Sequence, residues 1–300
     1  MSHKSRIAGY RTRDSVSLAA MMAPGVVGMT LLVLLPALTA LAFAFTSWDG
    51  LSAPVWRGFG TFGEVFQNHL FWTAARNSAV FVLLAVPLRL LGALGLALLL
   101  RQRRRGIGFY RMSVFLPTVV PDVAYALIWL WIFNPLYGPL NISLKALGLA
   151  QPAWLAEGQT ALFAIVIMSL FQIGEGLVVL LTGLQGIPDD YYQSASLDGA
   201  NRWHKFRHIT LPMLAPWLLL LTLRDIILSA QSTFTPAYLM TGGGPYYATL
   251  FMPLLMYQEA FEGLRFGHAA AIMLLLLAAV ALLLVLVAGL ARGWGYGEDA

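Results

Sequence analysis

Residues 78–105 read SAVFVLLAVPLRLLGALGLALLLRQRRR. The first part, 78–100, carries one charge, Arg89, and is followed at once by Arg101, Arg103, Arg104 and Arg105. A helix rises about 1.5 Å per residue, so crossing roughly 30 Å of hydrocarbon takes about 20 apolar residues. This stretch meets that length and ends in a basic cluster of the kind retained in the cytoplasm. Five more segments have the same character: 22–45, 113–133, 161–182, 214–236 and 268–290. The whole chain agrees with them. Of its 300 residues 59% are hydrophobic and 11% charged, and the mean hydropathy is +0.72. A soluble domain carries roughly 25% charged residues, so a soluble enzyme is excluded, and so is a disordered chain. The expected fold class is all-α: a polytopic membrane protein with six transmembrane helices in one domain, 1–300. It divides into a tail 1–21, a core 22–290 and a tail 291–300.

The basic residues set the orientation. Lys4, Arg6, Arg11 and Arg13 precede the first span; the arginines from Arg101 to Arg111 follow the second; Arg202, Lys205 and Arg207 follow the fourth. The intervening connections hold only Arg57 and Arg76, then Lys145, then Arg265. Alternating basic connections place both termini in the cytoplasm. Topology therefore explains the net charge of +5, and no nucleic-acid partner is expected. The first apolar stretch exceeds the core of a signal peptide and no small-residue cleavage site follows closely, so it is read as a retained helix.

Several chemistries are missing. A phosphate loop needs Gly directly before Lys, but Lys4, Lys145 and Lys205 follow His3, Leu144 and His204. The chain therefore does not bind ATP in that way, and neither a cofactor nor a catalytic residue is expected on it. There is no cysteine and no H-E-x-x-H. His204 and His208 have a metal-compatible spacing without a nearby carboxylate, and a solvated basic helix accounts for them. No metal site is expected.

The most structured polar segment is GLQGIPDDYYQSASLDGANRWHKFRHITLP, 183–212. Pro188 suits a first helical turn, and Asp189 and Asp190 suit its positive end. Gly199 permits a sharp break. Asn201–His208 is expected to form a second short helix before the next span, giving a cytoplasmic helix–turn–helix too polar for lipid. Here the chain resembles the permease subunits of binding-protein-dependent ABC sugar importers, the maltose-F and glycerol-3-phosphate-A-like group. The family signature is close to Tyr-Glu-Ala-Ala-x-x-Asp-Gly-Ala, ending in Leu-Pro. Here it stands as Tyr192, Gln193, Ser194, Ala195, then Asp198, Gly199 and Ala200, with Leu211 and Pro212 closing it. Further matches are Trp48-Asp49-Gly50, Leu116-Pro117, Gly138-Pro-Leu-Asn141, Leu184-Gln185-x-Ile187-Pro188, Thr241-Gly-Gly-Gly-Pro245 and Phe266-Gly267. By resemblance the fold is that of a type I importer permease in the inner, cytoplasmic membrane of a prokaryote. Loop 184–212 is then a coupling element docked on an ATPase. Gln193 replaces the family's usual Glu, keeping hydrogen-bonding capacity and losing an ionic term. The resemblance also implies partners: a second related permease, two ATPase subunits that hold ATP and Mg, and an extracytoplasmic solute-binding protein.

Polar groups inside spans are costly and face a cavity or a partner. Spans four and five carry Gln172, Glu175, Arg224, Asp225, Ser229, Gln231 and Ser232. By resemblance the sugar-contacting positions fall at Phe171, Gln172, Glu175, Asp225, Ser229 and Ser232. The competing structural reading pairs Arg224 with Glu175 or Asp225 to neutralise buried charge. Arg89 is read as a structural charge facing a partner, and Asp122 as a surface residue or a minor solute contact. The expected function is half of a pathway for a sugar, oligosaccharide or polyol, driven by ATP hydrolysis on other subunits. The competing class is a stand-alone ion-coupled carrier using Glu175 or Asp225, which predicts inverted repeats and broken helices.

Overall fold

The computed structural model describes Leu18 and residues 20–102 and 104–292. The N-terminal basic residues Lys4 to Arg13, Arg103 and the tail from 293 onward, all expected on the cytoplasmic side, lie outside the described residues.

The described chain opens with α1 (Ala20–Phe43), whose apolar side chains are exposed along its length. A two-stranded antiparallel hairpin follows, β1 (Thr46–Ser47) and β2 (Val55–Trp56), with Thr46 opposite Trp56. Next come α2 (Gly60–Gln67) and the second span, α3 (His69–Leu100). Asn68 caps α3 by accepting from the Leu70 N–H at 3.0 Å, which satisfies one of the donors a helix start leaves open.

The third span departs from the single helix expected over 113–133. It consists of α4 (Ile107–Phe115), a 3-10 turn at Leu116–Val119, and α5 (Asp122–Ile132), bent by 104°. Pro117 and Pro121 explain the break. Each lacks an N–H, and Pro121 drives Val120 into extended backbone, φ −71° and ψ 129°. After α6 (Pro139–Ala146) the fourth span is also broken, into α7 (Gly158–Ser169) and α8 (Gly174–Gln185), bent by 46°. No proline lies here. Gly174 nests against the broken third span, where a Cβ would sit 2.7 Å from Phe115 Cα and 2.9 Å from the Val114 carbonyl oxygen. The two breaks therefore support each other.

Helix α9 (Asp189–Leu197) precedes α10 (Arg202–Thr241), a continuous 40-residue helix. The separate short helix expected over 201–208 is thus the first part of span five. A π turn at Phe206–Thr210 lies just ahead of Pro212. Wider winding there makes room for the proline ring, which would otherwise meet the preceding turn. The described part ends with α11 (Met252–Tyr257), continued by a π turn at Gln258–Glu262, and α12 (Phe266–Arg292). Among the described residues four helices are long and apolar enough to cross a bilayer, or up to six if each bent pair is one span.

Helices α3, α8 and α10 pack on one another, and α11 fills the space between α3 and α12. Leu177, Leu180, Leu184, Leu214 and Leu221 form a core shared by α3, α8 and α10. Two sequence motifs far apart in the chain meet on another side. Trp48 stacks on Phe43 at 4.3 Å and lies 5.4 Å from Phe266, and the Gly267 N–H donates to the Trp48 carbonyl at 3.3 Å. Asp49 holds the turn between them, accepting from the Ser52 N–H and hydroxyl, both at 2.8 Å, and from the Leu51 N–H at 3.0 Å. Those bonds, from Ser52 first, lower its pKa to about 2. The remaining motifs also build loops. Asn141 is buried and donates to the Pro135 and Pro152 carbonyls while accepting from Trp154 Nε1 at 2.8 Å. In the glycine-rich turn the Thr241 and Thr249 hydroxyls are 2.6 Å apart, and Asn77 donates to the Tyr247 and Leu250 carbonyls.

A Cβ at Gly267 would land on the Thr46 carbonyl oxygen, whereas one at Gly63, within α2, meets nothing within 4 Å. Gly267→Ala is expected to destabilise by about 1–3 kcal/mol, the usual range for overpacking. Gly63→Ala should leave stability equal or slightly higher. Thermal unfolding of the two variants in the same detergent checks the difference.

Candidate functional site

The polar residues of the spans converge. Arg89 of α3 lies with its Nε 3.5 Å from Asp225 Oδ2 and its other guanidinium arm on the Ser229 hydroxyl, both on α10. The Arg89 and Asp225 side chains are only 10% and 13% exposed. Arg224 Nη1 lies 3.3 Å from Asp225 Oδ1, and its Nη2 pairs with Glu175 in the first turn of α8. That outer pair is open, 36% exposed at Arg224 and 51% at Glu175. Two guanidinium groups face two carboxylates, so the cluster is charge-balanced across three helices.

Helix periodicity puts these groups together. Asp225, Ser229 and Ser232 follow one another at helical spacing on one face of α10. Arg224, one position away, turns to the neighbouring face and meets α8. Close approach of α3 to α8 is possible because Gly92 faces Ile173 and Gly176 faces Ala93; a Cβ on either glycine would sit 3.3 Å from its neighbour.

Two clefts lie in this region, and the second is lined by residues of the cluster. One is lined by Asp122, Tyr125, Ser169, Gln172 and Ser232, the other by Arg89, Gln172, Gly176, Arg224 and Asp225. Gln172 belongs to both. Phe171 is 53% exposed at the break in span four, with its ring 5.0 Å from Trp129. The six positions singled out in the sequence thus separate. Phe171, Gln172, Glu175 and Ser232 border open space, Asp225 lines a cleft while engaged by two arginines, and Ser229 is 1% exposed and bonded to Arg89.

One residue, Arg89, stands differently from its sequence reading. Arg89 is not turned outward to a partner: it is buried inside the chain against α10. Arginine in a span needs a carboxylate, and Asp225 lay within its reach only once the helices were packed. Asp122 lines a cleft with Gln172 and Ser232, brought there by the bend after Pro121. Arg224 is a counter-ion to both acids, as its structural reading has it. Among the described residues no group of three or more His, Asp or Glu is arranged to hold a metal ion.

Helix α8 leads through Gly186, Ile187 and Pro188 into α9. Gly199, at φ +77°, ends α9 in the left-handed region. The Ala200 N–H donates to the Ala195 carbonyl and the Gly199 N–H to the Ser196 carbonyl, the double closure of a Schellman turn. Asn201 then caps α10, accepting from the His204 N–H at 2.9 Å. Tyr192 points back into the chain. Its hydroxyl lies 2.9 Å from Thr210 Oγ1, and the Arg101 guanidinium covers its ring at 4.8 Å. Gln193, Ser194, Asp198 and Gly199 are exposed, Ala195 and Ala200 half-buried. Leu197, 89% exposed, and Trp203, 63% exposed, present large apolar surface on the same loop.

Residues 89–294 match the model of the family described as binding-protein-dependent transport system inner membrane component. "Probable ABC transporter permease protein YesP" of Bacillus subtilis is 33% identical, over 94% of this chain and 92% of its own length. The "Trehalose/maltose transport system permease protein MalF" of Thermococcus litoralis is 36% identical, over 73% of this chain and 74% of its own. A chain in the crystal structure of a bacterial alginate ABC transporter, in complex with alginate pentasaccharide-bound periplasmic protein, superposes with a TM-score of 0.83. It covers 98% of this chain and 100% of its own at 21% identity, a likeness of fold.

The Arg89–Asp225 contact generates a stability prediction. Removing one partner of a buried ion pair costs about 3–5 kcal/mol because the other charge is stranded. Arg89→Gln should show a loss of that order in detergent unfolding, and the double variant Arg89→Gln with Asp225→Asn should recover most of it. Equal losses in the single and double variants would show that the two groups do not interact.

Proposed function

The chain belongs to the binding-protein-dependent transport system inner membrane component family, and from that premise we propose that it forms half of the pathway for a sugar, oligosaccharide or polyol. In this reading a second, related permease supplies the other half. Two ATPase subunits bind ATP and Mg and dock on loop 184–212 from the cytoplasm, where both termini also lie. An extracytoplasmic binding protein delivers the solute across the outer face of the inner membrane.

The observation that carries this reading is the continuity of α8. Gln172, just before it, and Gly176, in its first turn, line the clefts, and three residues after its last turn the chain enters α9. A movement of the loop is thereby a movement of the cleft wall. The chemistry of the wall fits polyhydroxylated solutes. Gln172, Glu175 and Ser232 exchange hydrogen bonds with hydroxyls, and the exposed Phe171 ring offers a face for a sugar ring. The balanced charge of the cluster favours neutral solutes over ionic ones. Among the named relatives, the trehalose/maltose permease fits that reading.

Broken helices belong to the ion-coupled carrier reading as well, and spans three and four are both broken. The family membership and the exposed loop favour the importer. In this reading Gln193 docks through hydrogen bonding and shape, with Asp198 and the Gly199 turn beside it.

Purification of the tagged chain from its native membrane in mild detergent tests the assignment. The expected companions are a P-loop ATPase and a second six-span permease. A chain that emerges alone and moves solute into liposomes without ATP would establish the carrier instead. In the assembled transporter, Phe171→Ala is expected to lower uptake of the transported sugar about tenfold, equivalent to some 1.4 kcal/mol of lost contact.

A further inference from the structure

The two ion pairs of the cluster differ in a way that assigns them different work. Arg89 and Asp225 are nearly shielded from solvent, and Arg89 also holds Ser229. They fix α3 to α10. Arg224 lines the cleft and Glu175 is open to solvent beside it, and they join α10 to α8. Helix α8 is separated from α7 by the 46° break and leads directly to α9. The pair therefore restrains the N-terminal end of a segment that, like α10, reaches both a cleft and the loop.

Arg224 is built to let go of Glu175. Its Nη1 keeps Asp225 at 3.3 Å, so losing Glu175 does not strand the guanidinium. Glu175, for its part, sits in the first turn of α8, where the helix dipole favours a carboxylate. Its open side can accept hydrogen bonds from hydroxyl groups in place of the arginine. The leucine core beneath, Leu177, Leu180, Leu184, Leu214 and Leu221, is held by non-directional packing, and it offers a pivot for a small rotation.

We propose that Arg224 is a positioning residue of the transport cycle: its ion pair with Glu175 holds α8 against α10 until solute hydroxyls take over the carboxylate, and the Arg89–Asp225 contact is the fixed anchor for that exchange. The proposal rests on the importer reading above. Without solute the pair keeps α8, and hence α9, in the arrangement that does not promote ATP hydrolysis. Opening the pair releases both.

The test uses the transporter purified with its ATPase subunits and measures ATP hydrolysis with Mg and no solute. Arg224→Gln and Glu175→Gln should each raise this rate about fivefold or more, the lower end of ordinary coupling energies. Arg224→Lys, which keeps the charge, should restore a low rate. Since the chain has no cysteine, Glu175→Cys with Arg224→Cys gives a clean second variant. Its solute-free rate should be high, and should fall when a short bis-maleimide bridges the two thiols. A solute-free rate unchanged by both glutamine variants in an intact complex overturns the proposal. So does a bridged variant as active as the unbridged one. If no ATPase accompanies the chain, the importer reading falls and takes this proposal with it.

Discussion

An arginine placed inside a transmembrane helix must find a carboxylate, because an unpaired charge there is expensive. Arg89 meets that demand with Asp225, and the rest of the site is arranged around the contact. It fixes the angular position of span five against span two. Once Asp225 faces α3, Ser229 and Ser232 follow on the same side of α10, and Arg224 is left on the next face, in reach of Glu175. The charge-balanced cluster is thus a consequence of one buried pair and the pitch of a helix.

The broken spans supply the second constraint. Pro117 and Pro121 end the third span's helix in mid-course, and Gly174 lets the fourth span close against that break. The bends carry Asp122 and Gln172 to the clefts and detach α8 from α7. Around this centre the long loops are tied down by local contacts. The Trp48 turn seats on Phe266 and Gly267, and Asn141 ties three loop segments together. That arrangement leaves α8 and α10 as the segments joining the clefts to loop 184–212.

The spans were legible because length and hydropathy are local properties, and the loop was legible because Pro188, Gly199 and Asn201 each have a local geometric use. The Schellman closure at Gly199 and the cap at Asn201 follow from residue type alone. The break in span three was written in Pro117 and Pro121, but an average over apolar residues hides it. The break in span four was not written locally at all, since Gly174 is needed only by what packs on it. Arg89 failed for the same reason: a lone arginine in a helix says that a partner exists, not which one. Ser229 has the residue type of a sugar contact, and only packing shows that Arg89 occupies its hydroxyl.

The account centres on a chain that receives motion from an ATPase through α9 and passes it along α8 to the cleft. The most direct measurement is photo-crosslinking from a single cysteine placed at Leu197, the most exposed apolar residue of that loop, in a chain that has no other cysteine. The account predicts an adduct with a P-loop ATPase and no labelling of the thiol by membrane-impermeant reagents added to the extracytoplasmic side. Labelling from that side, with no ATPase adduct, would contradict it.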